Sequence, residues 1–233
     1  MLAISNKERA TDNVIIFVHI PKTGGTTLCS IIEKQYKDYY DIAQLKIPLS
    51  QYLKKDDTKR LEVIRGHFSF GIHRLLPQDK HTYITILRDP IERVISAFYY
   101  IRRSKPHKLH NIVKNITLYE FVTNKRFDHQ TLNKQTHMLA GKKDADLQEA
   151  KNNLKKYFSV VGITKRYEET LYVMGKKLDW KIDNYKKRKV TQNRPTVEEI
   201  PKDVIKIIRN KNQKDMKLYQ FANILLDKQL QQL

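Results

Sequence analysis

Six consecutive residues, Lys22-Thr23-Gly24-Gly25-Thr26-Thr27, bring together one cation, two glycines and three hydroxyls. These types suit an anion. Glycines let backbone N–H groups come close, the hydroxyls and the ammonium add donors, and a helix beginning there contributes its positive end. The plainer alternative, a tight turn, needs small residues but not a lysine with three threonines. Nucleotide hydrolases place the lysine after the last glycine, as G-x-x-x-x-G-K-[ST], whereas Lys22 precedes Gly24 and Gly25. The loop therefore reads as a phosphate cradle without the ATPase arrangement. Two further groups belong with it: Arg65-Gly66-His67, and Arg88 with Ser96 eight residues on. Arg88 also suits a surface ion pair with Asp89 or Glu92, and His67 a hydrogen-bonded core position.

The surrounding sequence supplies elements that can gather these residues. "VIIFV" from Val14 is an apolar run that predicts a buried strand, and the residues after Gly25 predict an amphipathic helix to about Tyr36. "LEVIRGHFSFGIH" and "HTYITILRDP" hold two more strands, ending at Arg65-Gly66-His67 and at Arg88. Pro90 is placed to open a helix in which Ile91, Val94, Ile95, Phe98 and Ile101 recur at helical spacing. A strand near Ser159 to Ile163 precedes a helix from about Arg166; residues 107–156 read as mostly helical, and one or two helices follow Pro201. Asp183 to Glu199, basic and polar, reads as a loop that either faces a ligand or is a solvated charge run. Strands alternating with helices predict an α/β fold of three layers, P-loop-like, with a central, largely parallel sheet flanked by helices. A single domain is expected over 1–233. In such a sheet the ligand lies beyond the carboxyl ends of the strands, so two anion sites and a histidine are expected to share one cleft.

Composition limits the partners. Lys and Arg number 45 against 25 Asp and Glu, a formal charge of +20 that attracts polyanions or a multiply charged nucleotide. Cys29 is the single cysteine, which excludes an intramolecular disulfide, fits a reducing compartment and suits helix packing. No run approaches the ~20 apolar residues of a membrane span, and the first residues lack the apolar centre of a signal peptide, so a cytoplasmic protein is expected. No metal-ligand cluster is visible. Asn115-Ile116-Thr117 forms a glycosylation sequon, of little meaning inside a cell.

"FVHIPKTGGTTL" and "TILRDPIERVISAFYY" resemble the two cofactor motifs of the sulfotransferases that use 3'-phosphoadenosine 5'-phosphosulfate (PAPS). "RGHFSFG", "LNKQTHMLAG" and "VGITKRYEETLYVMGKKLDW" are similar to segments of the heparan sulfate 6-O- and 2-O-sulfotransferases, so the likeness runs from about Ile15 to Phe221. The resemblance implies one sulfotransferase domain and O-sulfation of an acceptor hydroxyl without a metal, the acceptor being a saccharide or polysaccharide, possibly acidic. It implies that Thr23, Gly24, Gly25, Thr26 and Thr27 hold the 5'-phosphate and that Lys22 stabilises the oxygen leaving the sulfuryl group. Arg88 and Ser96 would bind the 3'-phosphate, a task suited to the two-pronged guanidinium. His67 matches the catalytic base of the heparan enzymes. The 2-O enzymes carry a second histidine where this chain has Arg65, and His19, at a strand end, is read as supporting. The resemblance also implies that Arg194, in the late basic loop, would reach the nucleotide. The tract Tyr99 to His110 carries Arg102, Arg103, Lys105 and Lys108, either for an acidic saccharide or as a solvated face. The Lys-, Ile- and Asn-rich composition fits a bacterial source. Two other classes stay open: a P-loop-like kinase, which needs a lysine after the glycines and magnesium-binding carboxylates, and a nonenzymatic polyanion or nucleic-acid binder, supported only by charge.

Overall fold

A computed structural model of the chain describes residues 13–36, 39–41, 51, 61–76, 79–142, 144–183, 185 and 194–233. In chain order the elements are β1 (Asn13–Val18), α1 (Gly25–Gln35), β2 (Tyr39–Asp41), β3 (Val63–Gly66), β4 (Lys80–Leu87), α2 (Pro90–Arg103), α3 (His110–Val113), α4 (Leu118–Thr123), α5 (Asp128–Thr131), α6 (Lys134–Ala140), α7 (Leu147–Tyr157), β5 (Phe158–Ile163), α8 (Tyr167–Leu178), α9 (Lys202–Lys211) and α10 (Gln213–Gln231). The strands form one sheet in the order β2-β3-β1-β4-β5, and every pairing is parallel. Val14 to Val18 are all buried, as a central strand covered on both faces requires. No helix among the described residues is long and apolar enough to cross a membrane.

The sequence reading holds for the larger elements. The middle of the chain is helical, though divided into five helices, and two helices follow Pro201, parted at Asn212. β2 was not anticipated; three residues are too few to show a period. Of the expected loop at 183–199, residues 184 and 186–193 lie outside the described residues, and the others have neither helix nor strand.

Strand register sets the site. Val18 of β1 lies beside Gly66 of β3 and Thr85 of β4, so the residues just after these positions emerge at one edge of the sheet. The chain leaves β1 toward β2 on one side and leaves β4 toward β5 on the other. Loops that diverge in this way leave a crevice between them, the usual ligand position of an open parallel sheet.

Helix α2 is fixed at its start and along one face. Asp89 caps it, accepting from the N–H groups of Ile91 and Glu92 at 3.0 Å each, and Pro90 supplies a first residue that needs no partner for its nitrogen. Ile91, Val94, Ile95, Phe98 and Ile101 pack with Phe121, Val122, Val204 and Ile208 in a core of their own. This anchors α2 by its apolar stripe and leaves Glu92, Ser96 and Tyr100, each one turn apart, in line on a different face.

Candidate active site

The cradle loop is held open by its backbone. Lys22 takes φ 72° and Gly24 φ 87°, both left-handed, a conformation that strains lysine and leaves glycine unstrained. Gly24 stands at the N-cap of α1 with no side-chain cap, and the first turn carries no acidic residue. The positive end of α1 is thus not offset by a side-chain cap or by an acid of its own first turn. Thr23 is fully buried and its hydroxyl donates to the Ile20 carbonyl at 2.9 Å, so it supports the loop from below. Thr27 packs into the first turn, its N–H donating to the Gly24 carbonyl at 3.1 Å. Thr26, half-buried, starts the helix beside them.

Residues after β5 complete the cradle. The Thr164 hydroxyl lies 2.7 Å from the Thr23 carbonyl and 3.0 Å from that of Leu87, and the Tyr167 hydroxyl donates to the Gly24 carbonyl at 3.1 Å. Burial, and then Tyr185 and Cys29 nearby, push the Tyr167 phenol up, which keeps it a donor. Neither residue was singled out in the sequence, although the rule that ligands lie beyond strand carboxyl ends, extended to Ile163, points to both.

Lys22 reaches toward α2. Its ammonium sits 4.0 Å from the centre of the Tyr100 ring, a cation–π contact, and its carbonyl accepts from Arg88 Nη1 at 3.1 Å. Arg88 is itself clamped by Gln135, whose Oε1 accepts from the Arg88 N–H at 3.0 Å while Nε2 donates to the Arg88 carbonyl at 2.8 Å. Arg88 Nη2 donates to Glu92 Oε2 at 2.8 Å, so the ion pair foreseen as its alternative exists. Its side chain is 19% exposed, however, and burial, the largest influence on it, pushes its pKa down. Arg194 converges on the same Glu92 oxygen. Ser96, one turn from Glu92, is 1% exposed, and its hydroxyl has no hydrogen-bond partner among the described residues. A buried hydroxyl without a partner is uncommon enough to mark a place where a ligand supplies one.

His67 stands just past β3 and is exposed, so the core alternative does not hold. Its Nδ1 lies 2.6 Å from the His19 carbonyl. A carbonyl can only accept, so Nδ1 carries the proton and Nε2 of the neutral ring carries the lone pair. The His19 N–H in turn donates to the Gly66 carbonyl at 3.0 Å, and the two imidazoles lie 4.4 Å apart between centres. His19 stacks on Phe17 at 5.2 Å. A Cβ added to Gly25 would come within 2.2 Å of the His19 ring, so the second glycine of the cradle gives room to the histidine layer. Gly25→Ala is expected to cost about 1–3 kcal/mol as an overpacked site, read from the urea midpoint; no loss would mean that the ring swings away freely.

Arg65 is fully engaged elsewhere. It donates to Glu33 Oε1 at 2.7 Å, Asp41 Oδ2 at 3.1 Å and the Cys29 carbonyl at 2.8 Å, tying α1, β2 and β3 together. Burial pushes the Cys29 thiol up to about 11, so it remains protonated near neutrality, in keeping with a packing role. Among the described residues no group of His, Cys, Asp and Glu is arranged to hold a metal ion.

A cavity of about 720 Å³ opens along the far end of α2, lined by Tyr100, Ser104, His107, Lys108, His129 and Gln130. Tyr100 joins it to Lys22. Of the basic tract singled out in the sequence, Lys108 lines this cavity, and Arg102, Arg103 and Lys105 are exposed.

A parallel sheet flanked by helices, with a glycine loop between its central strand and the following helix, is a P-loop-like α/β arrangement. Residues 8–222 match the model of the Sulfotransferase family, and the chain belongs to that family. Heparan-sulfate 6-O-sulfotransferase 1-A of Danio rerio is 28% identical over 119 residues, 42% of this chain and 29% of that protein. Protein-tyrosine sulfotransferase of Arabidopsis thaliana is 27% identical over 96 residues, 41% of this chain and 19% of that protein. The matched segments therefore span less than a third of either relative. A solved structure of mouse sulfotransferase SULT7A1 complexed with PAP aligns with a TM-score of 0.46 and 16% identity, covering 89% of this chain and 67% of that one.

Proposed function

We propose that this sulfotransferase moves the sulfuryl group of PAPS to a hydroxyl of an acceptor by in-line displacement. The observation that carries the reading is the convergence of Lys22, His67 and Arg88 from the ends of three neighbouring strands, with the unpartnered Ser96 hydroxyl one turn beyond Glu92, the ion-pair partner of Arg88. PAPS supplies the activated sulfuryl group and two separated phosphates. Residues 23–27 and the α1 terminus receive the 5'-phosphate, and Arg88, Ser96 and Arg194 the 3'-phosphate. His67 Nε2 takes the acceptor proton as the acceptor oxygen bonds to sulfur and the bond from sulfur to the 5'-phosphate oxygen breaks. Lys22 leaves Tyr100 to meet the charge that grows on that oxygen, an interaction worth more in the transition state than before it.

The acceptor enters through the cavity lined by Tyr100, whose ring meets the Lys22 ammonium. Lys108 and the histidines there suit a saccharide bearing acidic groups, and the heparan-sulfate relatives favour a carbohydrate. A tyrosine of a protein is the second reading, favoured by the plant relative. Incubation with PAPS of a panel holding acidic oligosaccharides and tyrosine peptides, followed by mass spectrometry, decides between them by which gains one sulfuryl group. The donor assignment is tested first by melting. Adenosine 3',5'-bisphosphate is expected to raise Tm far more than adenosine 5'-monophosphate, because only the former fills both anion sites. Equal shifts would remove the 3'-phosphate site.

A further inference from the structure

Glu92 stands where an anion belongs. Its Oε2 accepts from Arg88 Nη2 at 2.8 Å and also from Arg194 Nη2, so one carboxylate oxygen holds two guanidiniums from distant parts of the chain. Both arginine side chains are largely covered, at 19% and 17% exposure; burial first, and then the neighbouring Arg194 cation, push the pKa of Arg88 down, while Glu92 pulls it up. The pair stays together because a negative charge lies between. That charge does not use up the donors. Arg194 Nη1 and the Ser96 hydroxyl are both buried without a hydrogen-bond partner among the described residues. A phosphate, with three peripheral oxygens, can accept from more of this set than one carboxylate oxygen can.

We propose that Glu92 is a built-in competitor for the 3'-phosphate: it holds Arg88 and Arg194 in place when the site is empty of nucleotide and gives up their Nη2 donors when the phosphate arrives. The proposal rests on the donor reading above. Like charges at one pair of guanidiniums oppose each other, so the carboxylate lowers affinity for every ligand with a 3'-phosphate. The spent nucleotide keeps that phosphate, and its release is therefore eased by the same residue. Glu92 thus sets the strength and selectivity of nucleotide binding, without touching the reacting atoms.

Calorimetric titration of the whole chain with adenosine 3',5'-bisphosphate and with adenosine 5'-monophosphate tests this. Glu92→Gln is expected to bind the bisphosphate at least tenfold more tightly, about 1.4 kcal/mol, and the monophosphate within about twofold of wild type. Its ligand-free Tm should fall, since the guanidiniums lose their counter-ion, while the shift caused by the bisphosphate grows. A residue with a merely structural role would not move these two in opposite directions. Glu92→Ala, which removes the amide acceptor as well, should change affinity in the same sense. Unchanged or weaker bisphosphate binding in both variants overturns the proposal and makes Glu92 an orienting partner of the arginines. Equal tightening of the monophosphate overturns it too, since the competition would then not concern the 3'-phosphate. Failure of the wild type to bind the bisphosphate at all refutes the donor assignment itself.

Discussion

His67→Ala is expected to lower sulfuryl-transfer turnover by about 10²- to 10⁴-fold, or roughly 3–5 kcal/mol, with little change in the affinity for adenosine 3',5'-bisphosphate. A sugar or phenol hydroxyl needs a base as it attacks, and the His67 ring has its lone pair on Nε2 because the His19 carbonyl holds the proton on Nδ1. The ring is exposed, so its truncation opens no core cavity, and Tm should stay within a few degrees of wild type. Turnover per folded molecule, nucleotide affinity and melting measured on one preparation separate the possibilities. Near-normal turnover would remove His67 as the base and make His19, whose ring lies 4.4 Å away, the next to test.

Asp215→Ala should cost about 3–5 kcal/mol of folding stability, the scale expected when a buried charge loses its partner. Asp215 is fully buried in α10 and accepts from the Gln135 and Thr136 N–H groups at 3.1 and 2.7 Å and from the Thr136 hydroxyl at 2.7 Å. It serves the start of α6, which has no side-chain cap of its own because Asn133 there is left-handed. Arg93 is fully buried; burial pushes its pKa down, and Asp215 is the group that pulls it back. The same carboxylate offsets the burial of Lys134. Its loss strands two backbone donors and two cations together. Urea unfolding of wild type and variant measures the difference, and a loss under about 1 kcal/mol would show that the cations find other partners. Because Gln135 clamps Arg88, the folded fraction should also bind the bisphosphate less tightly.

The strand, glycine loop and helix at Val14 to Tyr36 could be read directly, since a run of buried residues, a break and a new period are all local signals. The same holds for Asp89-Pro90 opening α2 and for the rule that chemistry gathers where parallel strands end. Those features depend on neighbours a few residues apart, and residue type alone encodes them. Glu92 marks the limit. As a sequence neighbour of Arg88 it suggested a surface ion pair; whether that pair was exposed or lay inside a cleft depended on Arg194, which is 102 residues away. Arg65 offered cations to the cleft on paper, but Glu33 and Asp41 hold it between α1 and β2. Thr164, Tyr167, Gln135 and Asp215 support the loop and Arg88 through hydrogen bonds across 47 to 143 residues, a separation at which sequence spacing carries no distance. The elements and the kinds of side chain at their ends are local properties of the sequence; the meeting of the residues after β5 with the cradle, of α6 with Arg88 and of α10 with α6 depends on tertiary packing, because only close packing in three dimensions chooses a buried group's partner.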